Sequence, residues 1–104
     1  MDRESSYTDI NEVDREQLIN VLTDELPVLR AKIGISQSEL SNIIGVSRQT
    51  YSAIETKKRE MSWNVFLSLI FFFEHNEKTR EMLVVIGAFS ESLQQMLNIN
   101  KRDS

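Results

Sequence analysis

The amino-acid sequence predicts an all-α fold. Its 104 residues contain one proline and three glycines, so few positions interrupt a helix. Apolar residues recur at spacings of three and four, and no stretch alternates polar and apolar residues with a period of two. A chain of this length forms one domain of ordinary size. The sequence therefore predicts a single helical bundle.

The first predicted helix carries an aliphatic stripe at spacings of 4, 3 and 4, made of Leu22, Leu26, Leu29 and Ile33. Pro27 is compatible with two arrangements. It either lies in the first turn of a helix that is capped near Thr23 or Asp24, or it kinks one longer helix. Gly34 is predicted to end the helix, because glycine readily adopts the left-handed conformation of a C-terminal cap.

A second and a third helix follow at short spacing. Ser36-Gln37-Ser38-Glu39 has the S-x-x-E pattern of a capping box, which predicts a helix start. The buried stripe of this helix is predicted to be Leu40, Ile43 and Ile44. Gly45 ends it after about eight residues. Ser47 then caps a third helix, whose Tyr51 and Ile54 face the core.

The short connection at Gly45 leaves no room for antiparallel packing, so the two helices are predicted to cross steeply. This is the arrangement of a helix-turn-helix, whose second helix can enter the major groove of DNA. Helix 47–56 would present an outward surface without acidic residues, made of Ser47, Arg48, Gln49, Thr50, Ser52 and Ala53. Arg48 suits the acceptors of guanine and Gln49 suits adenine, so these six are the candidate base-reading residues.

Two other groups are candidate contacts to DNA phosphates. Ser36 and Gln37 lie at a helix N-terminus, where backbone N–H groups favour an anion. The second group follows the third helix and consists of Thr56, Lys57, Lys58 and Arg59. Such contacts hold the DNA backbone without reading its sequence. Residues 30–59 carry six basic and two acidic side chains, so this segment is basic although the chain has a net charge of −4.

Ser62 is predicted to cap a fourth helix, from Trp63 to about Glu74, which is apolar on all sides. Such a helix needs cover, either from the rest of the bundle, from a second copy, or from both. The C-terminal seam is Met82, Ile86, Phe89, Leu93 and Met96. Gly87 interrupts it, as a close helix contact or as a break before a helix capped by Ser90, and we favour the break.

Several of these segments form one multi-position pattern: Leu29-Arg30, Ile35-Ser36-Gln37-x-Glu39-Leu40, Gly45-Val46-Ser47-Arg48-x-Thr50-Tyr51 and Ile54-Glu55. The pattern resembles the lambda-repressor-like helix-turn-helix family, also called Cro-type or XRE regulators, over about residues 26–73. The resemblance implies a bundle of about five helices, here with an added C-terminal segment, and a dimer on a pseudo-palindromic operator. It also implies a phosphate contact by Gln37 and a buried structural salt bridge between Arg30 and Glu55. Thr56-Lys57 departs from the Asn-Gly or Gly-Lys that the family often has there.

The predicted organisation has three parts. Residues 1–10 are a disordered acidic N-terminus, residues 11–76 the DNA-binding domain with its motif at 36–56, and residues 77–104 a helical segment that could serve dimerisation. The longest apolar run, residues 65–73, is too short to span a membrane. The absence of cysteine is consistent with a cytoplasmic protein.

These observations predict a sequence-specific DNA-binding transcriptional regulator, a homodimeric repressor whose partner is double-stranded DNA. The sequence contains no nucleophile–base pair, no metal-ligand cluster and no glycine-rich phosphate loop. We therefore expect no enzyme activity, no metal and no cofactor. The alternative is a protein-interaction module with a small protein partner, such as the antitoxin of a toxin–antitoxin pair.

Overall fold

The computed structural model describes residues 12–97, which form six helices and contain no strand. The helices are α1 Glu12–Ile33, α2 Gln37–Ile44, α3 Arg48–Glu55, α4 Trp63–Glu74, α5 Glu77–Val85 and α6 Glu91–Leu97. The all-α prediction is confirmed. The predicted disorder of residues 1–10 lies outside the described residues. None of the helices in the described part is long and apolar enough to cross a membrane.

The first helix is continuous through Pro27, so a helix start near Thr23 is wrong. Pro27 lies on the exposed side of α1, where its ring faces solvent. The opposite side buries five aliphatic residues, Leu18, Ile19, Leu22, Leu26 and Leu29. Because this stripe continues on both sides of Pro27, packing holds the helix together where the proline removes one backbone hydrogen bond. Gly34 ends α1 with a positive φ of 83°, as predicted.

Local capping determines where α2 and α3 begin. The Ser36 hydroxyl accepts a hydrogen bond from the Glu39 N–H at 3.0 Å, and the Glu39 carboxylate accepts one from the Ser36 N–H at 3.0 Å. This bond from the backbone lowers the pKa of Glu39. Ser47 accepts a hydrogen bond from the Thr50 N–H at 3.0 Å. Both predicted caps are therefore present.

The predicted buried stripe of α2 needs one correction. Leu40 is buried and Ile44 is half-buried, as predicted, but Ile43 is 56% exposed. Ser41, which was not part of the predicted stripe, is buried. Positions three and four residues after Leu40 both lie near its side of a helix, so the sequence allowed either isoleucine to face the core. The packing of α2 against α3 and α4 selects Ile44.

The helix α4 is central to the bundle, because it packs against α1, α2 and α5. It buries the stripe Phe66, Leu69, Ile70 and Phe73. The Thr79 hydroxyl, fully buried in α5, donates a hydrogen bond of 2.7 Å to the Phe73 carbonyl and so ties α5 to the end of α4. Leu83 and Leu93 belong to the same core, so the two C-terminal helices share it with the motif.

The C-terminal seam is divided by a break at Gly87, which has a φ of 85°. Helix α5 ends at Val85, and the Ser90 hydroxyl accepts a hydrogen bond from the Leu93 N–H at the start of α6. The predicted break is therefore confirmed. It turns the chain so that the seam lies on two short helices instead of one.

The loop between α3 and α4 contains Lys57, the one described non-glycine residue with a positive φ, at 66°. This is where the chain departs from the glycine-containing sequence typical of the family it resembles. The left-handed conformation costs a residue with a Cβ about 1–2 kcal/mol. The loop is held despite this cost by hydrogen bonds from the Lys58 and Arg59 N–H groups to the Ala53 carbonyl and by the burial of Met61.

We predict that Lys57→Gly raises the free energy of unfolding by up to about 1 kcal/mol, because the relief of left-handed strain, about 1–2 kcal/mol, exceeds the cost of a more flexible unfolded chain. Lys58→Gly is the matched control. Lys58 has no positive φ, so the same substitution there should lower the free energy of unfolding by up to about 1 kcal/mol through the greater freedom of the unfolded chain. Urea denaturation of both variants measures the difference. Equal effects at the two positions would show that backbone strain at Lys57 is not the cause.

Candidate nucleic-acid interface

A buried ion pair holds α3 to α1. Arg30 donates two hydrogen bonds to the Glu55 carboxylate, from Nε at 2.8 Å and from Nη2 at 3.0 Å. Only 6% of the Glu55 side chain is exposed. Arg30 also donates to the Ile35 carbonyl at 3.1 Å, so it contacts the connection between α1 and α2 as well. The two-point pairing that the resemblance implied is therefore present in the structure.

Two further side chains complete this network. The Tyr51 hydroxyl donates a hydrogen bond of 2.7 Å to Glu55 Oε2, and the Gln37 amide donates one of 2.7 Å to Glu55 Oε1. Arg30 of α1, Gln37 of α2 and Tyr51 of α3 thus converge on one carboxylate. The network fixes the relative positions of all three helices around the motif.

The electrostatics of the network favour a pair that is charged at neutral pH. Burial on its own would raise the pKa of Glu55, but hydrogen bonds from Arg30, Tyr51 and Gln37 outweigh burial and hold that pKa below its usual value. The hydrogen bond to Glu55 raises the pKa of Arg30. Burial, together with the Glu55 carboxylate, raises the pKa of Tyr51, which therefore remains a hydrogen-bond donor.

The other side of α3 faces solvent. Four of its residues are exposed, Arg48, Gln49, Thr56 and Lys58, and Ser52 and Ala53 are half-buried. These six residues line one shallow depression, and none of them is acidic. We call it the α3 groove. Four of the six predicted base-reading residues line it together with two of the predicted phosphate contacts.

The remaining predicted base-reading residues lie at the start of α3. Ser47 is exposed and Thr50 is half-buried. The Ser47 hydroxyl donates a hydrogen bond of 2.9 Å to the Thr50 hydroxyl and accepts one from the Thr50 N–H. Both hydroxyls therefore have a structural role as the cap of α3, in addition to any contact with DNA.

The structure separates the basic residues of the loop. Lys58 lines the α3 groove, whereas Lys57 and Arg59 line a different depression on the side of α1, with Asp24 and Glu60. Lys57 forms an exposed salt bridge with Asp24. From the sequence, the three cations form one group of phosphate contacts because they are adjacent in the chain. In the structure, the backbone turns at Lys57, and Lys58 lies on a different side of the loop from Lys57 and Arg59.

At the start of α2, Ser36 is exposed and Gln37 is half-buried. Sequence reasoning assigned Gln37 to phosphate and Tyr51 to apolar packing, and it missed the part of both in the Glu55 network. A glutamine at the first position of α2 gives no local signal for a partner 18 residues away. The pattern could have suggested Tyr51, because it lies four residues before Glu55 on the same helix.

Comparison with known proteins finds a similarity that is confined to the motif and its flanks. A helix-turn-helix family model matches residues 29–62, about a third of the chain. The match includes both partners of the ion pair, α2, α3 and all predicted contact residues. Residues 29–62 are therefore similar to the helix-turn-helix of lambda-repressor-like (XRE) regulators, and this similarity supports a DNA-binding regulator in general. No curated protein and no solved structure matches the chain.

We predict that Glu55→Gln lowers the free energy of unfolding at pH 7 by about 2–4 kcal/mol, because it leaves Arg30 partly buried without its counter-charge. Urea denaturation measures the change. Glu81→Gln, on the exposed side of α5, is the matched control and should change stability by less than about 0.5 kcal/mol.

The pH dependence has a definite sign. Because the pKa of Glu55 is lowered in the folded state, the stabilisation is complete above the unfolded pKa of about 4.3 and is lost as the pH falls through the lower folded value. The difference between wild type and Glu55→Gln should therefore shrink below about pH 4. A difference that stays constant down to pH 3 would contradict the role of the charged pair.

Proposed function

We propose that this helix-turn-helix protein is a sequence-specific, homodimeric transcriptional repressor that inserts α3 into the major groove of double-stranded DNA. One observation carries the proposal. The inner side of α3 is held by Tyr51, Ile54 and Glu55, while its outer side presents Arg48 and Gln49 without an acidic neighbour in the α3 groove. A helix whose buried side is fixed to the core and whose exposed side is polar is suited to reading base edges.

The side chains of the α3 groove define what can be read. Arg48 offers two donors to guanine O6 and N7, and Gln49 offers a donor and an acceptor to adenine. The Ala53 methyl group suits the methyl group of thymine. Ser52 adds a hydroxyl in the groove, and Ser47 and Thr50 add two more at the start of α3. This set contains few long polar side chains, so we expect part of the specificity to come from DNA shape.

Phosphate contacts would come from both ends of the motif. Lys58 and Thr56 line the α3 groove, so they border the same DNA surface as Arg48. The backbone N–H groups at Ser36 and Gln37 begin α2 and favour an anion. Lys57 and Arg59 remain proposed contacts, but we expect them to contribute less than Lys58 because they lie beside Asp24 and Glu60.

Repression needs only occupancy of the operator, since a protein in the major groove excludes other proteins from the same DNA. Two copies would read two half-sites one helical turn apart, about 34 Å, which matches the symmetry of a pseudo-palindrome. We propose that the protein works in the cytoplasm, where such DNA is found.

A second candidate function is a protein-interaction module, such as an antitoxin. The exposed apolar side chains of Ile43 and Phe71 favour it, because such a surface can take a partner protein. Co-purification of a second, different chain would support this alternative, whereas a pure homodimer with DNA affinity would support the repressor.

We predict that the protein binds the DNA upstream of its own gene more tightly than a shuffled duplex of the same composition. Fluorescence anisotropy measures both affinities. The logarithm of the affinity should fall linearly with the logarithm of the salt concentration, because cationic side chains displace counter-ions from phosphates. An affinity that does not depend on salt would contradict binding through phosphate contacts.

We predict different effects for two cations of the α3 groove. Arg48→Ala should weaken binding to the upstream duplex by about 1–3 kcal/mol and relax the preference at one base pair. Lys58→Ala should weaken binding to both duplexes equally and reduce the salt slope by about 1. Arg59→Ala, on the side of α1, is the control and should have a smaller effect than Lys58→Ala. Identical behaviour of Arg48→Ala and Lys58→Ala would contradict the division into base and phosphate contacts.

A further inference from the structure

An apolar surface centred on Phe71 is left exposed by the part of the chain that the structure describes. Phe71 is 68% exposed, Ile43 is 56% exposed and Leu97 is 49% exposed, although each belongs to a helix of the bundle. Leu67 and Phe89 are half-buried beside them. We call these five residues the Phe71 face. It brings together α2, α4 and α6, which are distant in the sequence.

The Phe71 face consists of one projecting side chain between two grooves. One groove lies between α2 and α4 and is lined by Ile43, Leu67 and Phe71 among others. The other lies between α4 and α6 and is lined by Leu67, Phe71, Phe89 and Leu97 among others. Phe71 borders both grooves. When two copies meet through this face, the Phe71 ring of each copy can therefore enter an apolar groove of the other.

The charges of the Phe71 face do not favour a charged partner. Among residues 12–97, the ionisable residues that line the two grooves are Glu74 and His75, with 3.5 Å between the Glu74 carboxylate and His75 Nδ1. His75 also packs against the Phe71 ring, with 4.3 Å between ring centroids. Neither a basic peptide nor a nucleic acid would find a complementary patch there, whereas another apolar surface would.

The exposed area is of the size that a small dimer needs. An aromatic side chain buries about 150–250 Å², so Phe71 alone offers roughly 100–170 Å². Ile43, Leu97 and the half-buried neighbours bring the apolar area to about 400–500 Å², the size of the largest apolar patch on a typical monomer, which is often functional. A standard interface buries about 800 Å² per partner, of which about 60% is apolar.

We propose that the Phe71 face is the interface through which two copies of this chain form a two-fold symmetric dimer, each placing its Phe71 in a groove of the other. This interface rests on the proposed function in one respect: a palindromic operator requires two copies of the protein. Ile43 lies near the end of α2, only a few residues before α3 begins, so pairing here would also fix the two α3 helices relative to each other.

Substitution of the exposed ring tests the interface. In light scattering after size-exclusion chromatography, the wild type should have the mass of two 12.1 kDa chains. Phe71→Glu should be a monomer, with its dimer dissociation constant raised at least about 30-fold, as for a central residue of an interface. Val85→Glu is the matched control. Val85 is 82% exposed on α5 and lines neither groove, so this variant should stay dimeric.

A second variant on another helix, Ile43→Glu, should also be monomeric, and circular dichroism should show unchanged helix content for all variants. A dimeric Phe71→Glu or Ile43→Glu, a monomeric wild type, or a monomeric Val85→Glu would overturn the proposal. So would a complex with a different protein that leaves no homodimer.

Failure of the interface and failure of DNA binding are distinguishable. Arg48→Ala should remain dimeric while it loses affinity for the upstream duplex, and Phe71→Glu should still bind a duplex with a single half-site as the wild type does. If the wild type is dimeric and Phe71→Glu monomeric but neither binds DNA, the proposed interface stands and the proposed function fails.

Discussion

The buried carboxylate of Glu55 is the constraint on which the arrangement of this protein depends. A charge that is removed from water needs compensation on every side, and here it comes from a guanidinium, a phenol and an amide. These three donors belong to α1, α3 and α2. Because hydrogen bonds are directional, they leave little freedom in how the three helices meet. The arrangement of the motif is thus tied to one buried carboxylate at the edge of an apolar core.

The position of this network explains why α3 has one buried and one available side. The buried side is occupied by Tyr51, Ile54 and Glu55, which are pinned to the core. The opposite side is left to Arg48, Gln49 and Lys58, whose side chains face the α3 groove. Helix α3 has only eight residues, so its own hydrogen bonds would not keep it folded in isolation. Its attachment to the core keeps it helical while its exposed donors remain available for DNA. The same bundle leaves Phe71 uncovered on another surface, so DNA and a second copy need not compete for one site.

Local sequence signals predicted the helices well. Ser36, Ser47 and Ser62 each cap a helix, and Gly34, Gly45 and Gly87 each adopt a positive φ at a helix end or break. These are interactions within four residues, so the sequence itself contains both partners. Prediction failed where the choice depended on distant packing. Ile43 and Ile44 are equally suited to burial, and an apolar helix such as α4 gives no sign of which ring stays uncovered.

What the sequence by itself determined is the all-helical fold, the caps of α2, α3 and α4, the aliphatic core stripe of α1 and the polar outer surface of α3, because each follows from spacing along one chain segment. Only the tertiary structure decided that Gln37 and Tyr51 share the Glu55 carboxylate, that Lys57 turns away from Lys58, and that Ile43, Phe71 and Leu97 meet on one face. Each of these depends on how separate helices are placed in space. That placement comes from the joint packing of the core, which no single segment encodes.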